Sequence, residues 1–231
     1  MLSIRAVQLD IPDAAARAFR DADGLIHLVA AHYDDRQLIG PRFDALTHPC
    51  EQIFRSRADP DPAAYADRSW LTAFFTKDGR TVHSLVHHEY QGDTHPSPLC
   101  PSRQYPPCWE NSVLTTVSTD GGNHFATPII PRDVMAVPPF RYIGETARKP
   151  VGYFQPSNIV DRDGLHYVLI KAEDFAGQHR GNCLGDRQQG LPFPPSQVSL
   201  SGIWSRACYA SAISYCNLSG VLLQNHPLCM H

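Results

Sequence analysis

Short apolar runs that enter and leave Asp-Gly turns set the rhythm of the chain. The clearest is Pro156-Ser157-Asn158-Ile159-Val160-Asp161-Arg162-Asp163-Gly164-Leu165-His166-Tyr167-Val168-Leu169-Ile170. An apolar run enters the turn and a β-branched and aromatic run leaves it, which is the signature of a β-hairpin. Gly164 can take the positive φ such a turn needs, and Asp163 can bond its own backbone. Two earlier stretches repeat this sentence, Ala18 to Val29 around Asp23-Gly24 and Leu71 to Val86 around Asp78-Gly79. Turns at spacings of roughly 55 and 85 residues predict a repeat architecture built from β-sheets.

Each hairpin opens a unit. The first, residues 14–57, continues through Gln37-Leu38-Ile39-Gly40 to a short fourth strand at Gln52-Ile53-Phe54, and Pro60 and Pro62 close it. The second, 67–130, carries an insertion rich in Pro, Cys and His between Tyr90 and Trp109, and a loop this long in a compact domain is usually functional. Its third strand, Asn111 to Val117, leads into Ser118-Thr119-Asp120-Gly121-Gly122-Asn123-His124-Phe125. The third unit spans 152–190. From residue 191 to 231 the chain changes character, with Arg206 its one fixed charge, no acidic residue and no further hairpin pattern. The expectation is repeat units within 1–190 and a tail, out of frame or disordered, that adds little to the fold.

Bulk properties narrow the functional classes. With 231 residues and 42% hydrophobic content the chain can support a core. A formal net charge of −3 gives no basic footprint for nucleic acid. No stretch has the apolar length of a membrane span, and Met1 to Arg5 lacks the apolar core of a signal peptide. As written the chain reads as soluble and unexported, and as secreted if a leader is missing.

Two patterns carry a family resemblance. Ser118 to Phe125 fits S-x-D-x-G-x-x-F/W, the Asp box of propeller blades, notably in sialidases. Gln155 through Leu169 and Ala15 through Leu28 follow the spacing D-P-x-x-x-R-D-x-D-G-x-Y-Y-L. Over roughly residues 13 to 185 the chain resembles the five-bladed β-propeller glycosidases of glycoside hydrolase families 43 and 32. The resemblance implies an all-β propeller of four-stranded antiparallel blades, about three of five being present. It also implies hydrolysis of glycosidic bonds by paired carboxylates. One departure matters. The Asp that opens the first blade and acts as base in family 43 is matched by Ala15, with Asp13 two residues away, on the same strand face if the strand extends that far.

In such blades the start of strand one, the end of strand two and the start of strand three share one end, with the hairpin turns at the other. The pocket end then collects Asp13, Arg17, His32, Asp34, Arg36, His87, His88, Glu89, Tyr90, Trp109, Glu110, Asn111, Gln155, Ser157, Asn158, Lys171 and Glu173. Such a mix of aromatic faces and polar groups suits a sugar. Glu89 is the candidate general acid, with burial among His88 and Tyr90 to raise its pKa. Asp34 or Asp13 is the candidate base. The alternatives are an exposed strand-end carboxylate for Glu89, a plain turn for Tyr33-Asp34-Asp35, and backbone satisfaction for Ser157 and Asn158. His27, His83 and His166 are expected to be structural. His87, His88, His95, Cys100 and Cys108 match no standard zinc spacing, so no metal or cofactor is expected. Cys100 and Cys108 either staple the loop in an oxidising compartment or remain free thiols. The partner expected is a carbohydrate, to be cleaved or, in the rival reading, only bound; a third reading is a nonfunctional fragment.

Overall fold

The computed structural model describes residues 12–96, 98–138, 142, 144–145, 149–162, 165–173, 180–188 and 205–209. Among them the fold is all-β, and helix is confined to short 3-10 turns such as Phe43–Ala45. The first sheet is a four-stranded antiparallel meander of β1 (Arg17–Arg20), β2 (Ile26–Ala30), β3 (Asp34–Gly40) and β4 (Gln52–Arg55). Its first turn forms for the reason the sequence suggests. Gly24 has φ +81°, and the Asp21 carboxylate accepts from the amides of Asp23 and Leu25. His27 is buried between Asp21 (3.1 Å) and Gln37 (2.9 Å) and holds the turn to β3.

The rest does not repeat this unit. β5 (Arg68–Phe75), β6 (Val82–Gln91) and β7 (Trp109–Ser118) form an antiparallel meander, but β8 (Val134–Ala136) covers only Val113 and Leu114 of β7. The open start of β7 is taken by β9 (Val151–Pro156), which pairs with it in parallel at Glu110–Val151 and Asn111–Gly152. Beyond β9 come β11 (Leu165–Glu173), β12 (Arg180–Gln188) and β13 (Ser205–Tyr209), with β10 (Val160–Arg162) paired to β11. The second and third predicted blades are thus merged into one sheet with a seven-strand path, and the expectation of repeated four-stranded propeller blades is overturned. Gly152 is the physical reason. It has φ +100°, and a Cβ there would stand 2.1 Å from the Asn111 carbonyl oxygen, so only a glycine lets β9 come this close to β7.

The large sheet curls. One face of β5–β7 packs against the small sheet through Leu71, Val86 and Leu114 on Val29, Ile53 and Phe54. The other face, through Ala73, Leu85 and Val113, meets Tyr153, Val168 and Ile170 of the same sheet's far half. The two sheets are also stapled by Asp35, fully buried, whose carboxylate accepts from the amides of His32 (3.0 Å) and Leu71 (3.0 Å).

All three predicted hairpins are antiparallel pairs, β1–β2, β5–β6 and β10–β11, although the third turn, at Asp163 and Gly164, lies outside the described residues. Of the 191–231 segment, residues 205–209 pair with β12; the remainder lies outside the described residues, as does 1–11. Among the described residues no helix is long and apolar enough to cross a membrane.

Candidate functional site

Strand alternation decides which side chains meet. Along β6, His87, Glu89 and Gln91 share one face, and His88 and Tyr90 share the other. The cross-strand partners of the first set are Trp70 and Arg68 on β5 and Val113, Asn111 and Trp109 on β7. Glu89 is buried, and both of its oxygens are engaged. His87 Nε2 lies 3.0 Å from one, and Gln91 Nε2 donates to the other at 2.8 Å. The His87 ring rests against Trp70, whose indole packs with Ala14, Ala31 and Tyr33. The expectation of Glu89 lying among His88 and Tyr90 is therefore corrected: a period of two sends those side chains to the opposite face.

A loop roofs this row. Cys100 and Cys108 form a disulfide, which settles the choice between staple and free thiols. It holds Tyr105 stacked on Trp109 at 4.6 Å between ring centroids. Burial, then the carboxylates of Glu89, Asp13 and Asp93, push the Tyr105 phenol above its ordinary pKa, with Arg68 acting against them. Glu145 comes near both cysteines, but sulfurs joined to each other are not thiolate ligands, so this trio is no metal centre in the oxidised protein. Replacing both cysteines by serine is expected to lower stability by about 2 to 3 kcal/mol, the entropy of closing so short a loop. Urea unfolding with and without reductant measures this, and an unchanged midpoint would count against the bridge as a staple.

The opposite face of β6 forms a second polar group with a structural role. His88 accepts from the Asp67 amide at Nε2 and donates from Nδ1 to Ser112 Oγ, so it is neutral; burial, then neighbouring His87, lowers its pKa to about 3. Tyr90 donates to the Pro60 carbonyl and stacks on His95, which reaches Asp67 at 3.0 Å. Burial raises the Glu110 carboxyl to about 8. Sequence reasoning missed Asp67, Arg68, Trp70 and Tyr105. Cross-strand pairing would have found Arg68 opposite Glu89 and Trp70 opposite His87, whereas nothing local marks Tyr105.

The other predicted residues scatter. Asp13 is exposed, with its amide bonded to the Ala31 carbonyl. Asp34 faces Arg55 at 3.8 Å, and Arg36 donates to the Cys50 carbonyl. His32 is buried against Tyr33, and Arg17 is half-buried on β1. Asn111 is fully buried and donates to the Val151 carbonyl at the β7–β9 junction. Gln155 and Asn158 are exposed, and Ser157 spends its hydroxyl on the Leu169 amide and the Asn158 carbonyl. Lys171 lies over the Phe154 ring at 4.1 Å. The turn from Ser118 to Phe125 sits at the far end of β6, where Val82 pairs with Ser118. There Asp120 accepts from the Asn123 and His124 amides and from Ser118 Oγ.

No family model matches the chain, and no curated protein matches it. Among solved structures it is similar to an alpha-L-arabinanase mutant from Cellvibrio cellulosa, at 8% identity and a TM-score of 0.35, over 80% of this chain and 72% of that one. So remote a likeness carries no argument about activity. Among the described residues the chain stands as an all-β protein.

Proposed function

We propose that the Glu89 cluster is a carbohydrate site and that the protein hydrolyses glycosidic bonds, with Glu89 as general acid. One observation carries the reading: a buried carboxylate is clamped by His87, whose ring rests on Trp70, and by Gln91, which pairs across strands with Trp109 of the stacked Tyr105–Trp109 pair. Aromatic faces offer a sugar ring its apolar side, and a carboxyl sharing a proton with an imidazole can deliver it to a leaving oxygen. Asp13 is the preferred base. It is exposed and free of an ion-pair partner among the described residues, while Asp34 is turned toward Arg55. The spacing of Ser118, Asp120, Gly122 and Phe125, with the amides that Asp120 accepts, supports reading that turn as an Asp box, a mark of architecture and not of chemistry.

Binding without cleavage is the second reading, favoured by Ala15 at the position where the resemblance expects the base. A glycosidase substrate panel run beside a glycan array separates the two. Turnover of a glycoside is the expected result. Binding without turnover would favour the second reading, and absence of both would overturn the carbohydrate site.

A further inference from the structure

Arg68 is a half-buried cation in this site with no ion-pair partner among the described residues. It stands directly across from Glu89 in the β5–β6 register, yet both Glu89 oxygens are held by His87 and Gln91. Its Nε is buried and has no hydrogen-bond partner, and no ion pair of Arg68 is found among the described residues. The guanidinium lies over the Tyr33 ring at 5.4 Å. A shielded guanidinium N–H left unpaired is costly, and its planar fork matches a carboxylate in two parallel bonds. On the other side of β6, Trp109, the partner of Gln91, also has a buried Nε1 without an acceptor. A donor-rich wall beside a clamped carboxylate is suited to an acceptor-rich anionic ligand and not to a neutral one.

We propose that the ligand of the Glu89 site is an acidic sugar, a glycan bearing a uronic-acid-type carboxylate, and that Arg68 is the group that reads this carboxylate. The proposal rests on the carbohydrate reading above and narrows it to a substrate class. A lysine would keep the charge but lose the paired geometry, so Arg68 is a specificity residue and not merely a counter-charge.

The test compares uronic-acid oligosaccharides with the same oligosaccharides after carboxyl reduction, and with sulfated neutral ones, by calorimetry on the full chain. The wild type is expected to bind the carboxylate form roughly 10- to 100-fold more tightly than the reduced form, the range of a hydrogen-bonded charge. Arg68→Gln is expected to collapse that ratio to about threefold or less, and Arg68→Lys to leave an intermediate one. Should Arg68→Gln not fold, loss of the wild-type ratio at high salt reads the same contact. Equal binding of acidic and reduced forms by the wild type overturns this inference alone and leaves the carbohydrate site standing. So does a ratio that survives in folded Arg68→Gln, or a preference for sulfate over carboxylate. Binding of no glycan at all overturns both.

Discussion

Glu89→Gln is expected to lower turnover by roughly 10²-fold or more on the glycoside that the panel identifies, with affinity changed only a few-fold. The amide has the carboxyl's shape, so Trp70, Gln91 and the Tyr105–Trp109 roof keep their places. Its oxygen can still accept from Gln91 Nε2, and its NH2 can face His87 Nε2, whose other ring nitrogen is buried and has no partner to fix the tautomer. What disappears is the transferable proton. His87→Gln makes a useful companion, because it removes the imidazole that shares that proton while leaving the carboxyl in place. Its loss should be smaller and should fall in kcat more than in KM. Unchanged turnover in Glu89→Gln would remove Glu89 from the chemistry. A large loss of affinity without loss of turnover would make it a binding group instead.

The hairpins were legible because their cause is local. An Asp that can bond its own backbone, a Gly free to take positive φ, and apolar runs on either side are properties of a dozen residues. Sheet composition was not legible, because it turns on a contact between distant residues. Gly152 reads in sequence as an ordinary strand glycine. Only its approach to the Asn111 carbonyl shows that it joins two units into one sheet. The site fell between these cases. Strand-end reasoning placed Glu89, Trp109 and Asn111 at one end of β6 and β7, as the register has them, but treating His87 to Tyr90 as one cluster ignored the pleat, which divides it into two faces with different partners. Asp35 carries no mark in the sequence, since no local pattern distinguishes a carboxylate that caps its own loop from one that also reaches another sheet.

That carboxylate gives the largest expected effect on stability. Asp35→Ala is expected to lower the unfolding free energy by about 2 to 4 kcal/mol, because the buried amides of His32 and Leu71 both lose their acceptor and each orphaned donor costs about 1 to 3 kcal/mol before relaxation. Asp35→Asn should fall between, since one amide oxygen can serve only one of the two well. The penalty also has a pH signature. Burial raises the Asp35 pKa well above its ordinary 3.8, against the pull of the two amide hydrogen bonds, with Asp34 adding to the rise. A carboxyl that binds its proton more tightly when folded stabilises the fold most at and below its unfolded value. That contribution is lost as pH climbs from about 4 toward the folded value, by at most about 1.4 kcal/mol per pH unit. The gap between wild type and Asp35→Ala should therefore be widest near pH 4 and narrow toward neutrality. Denaturant unfolding of both proteins across that range measures it. A gap that widened with rising pH would mean that Asp35 is a stabilising buried anion, its two amides outweighing burial, and would reverse the assignment of its charge in the folded protein.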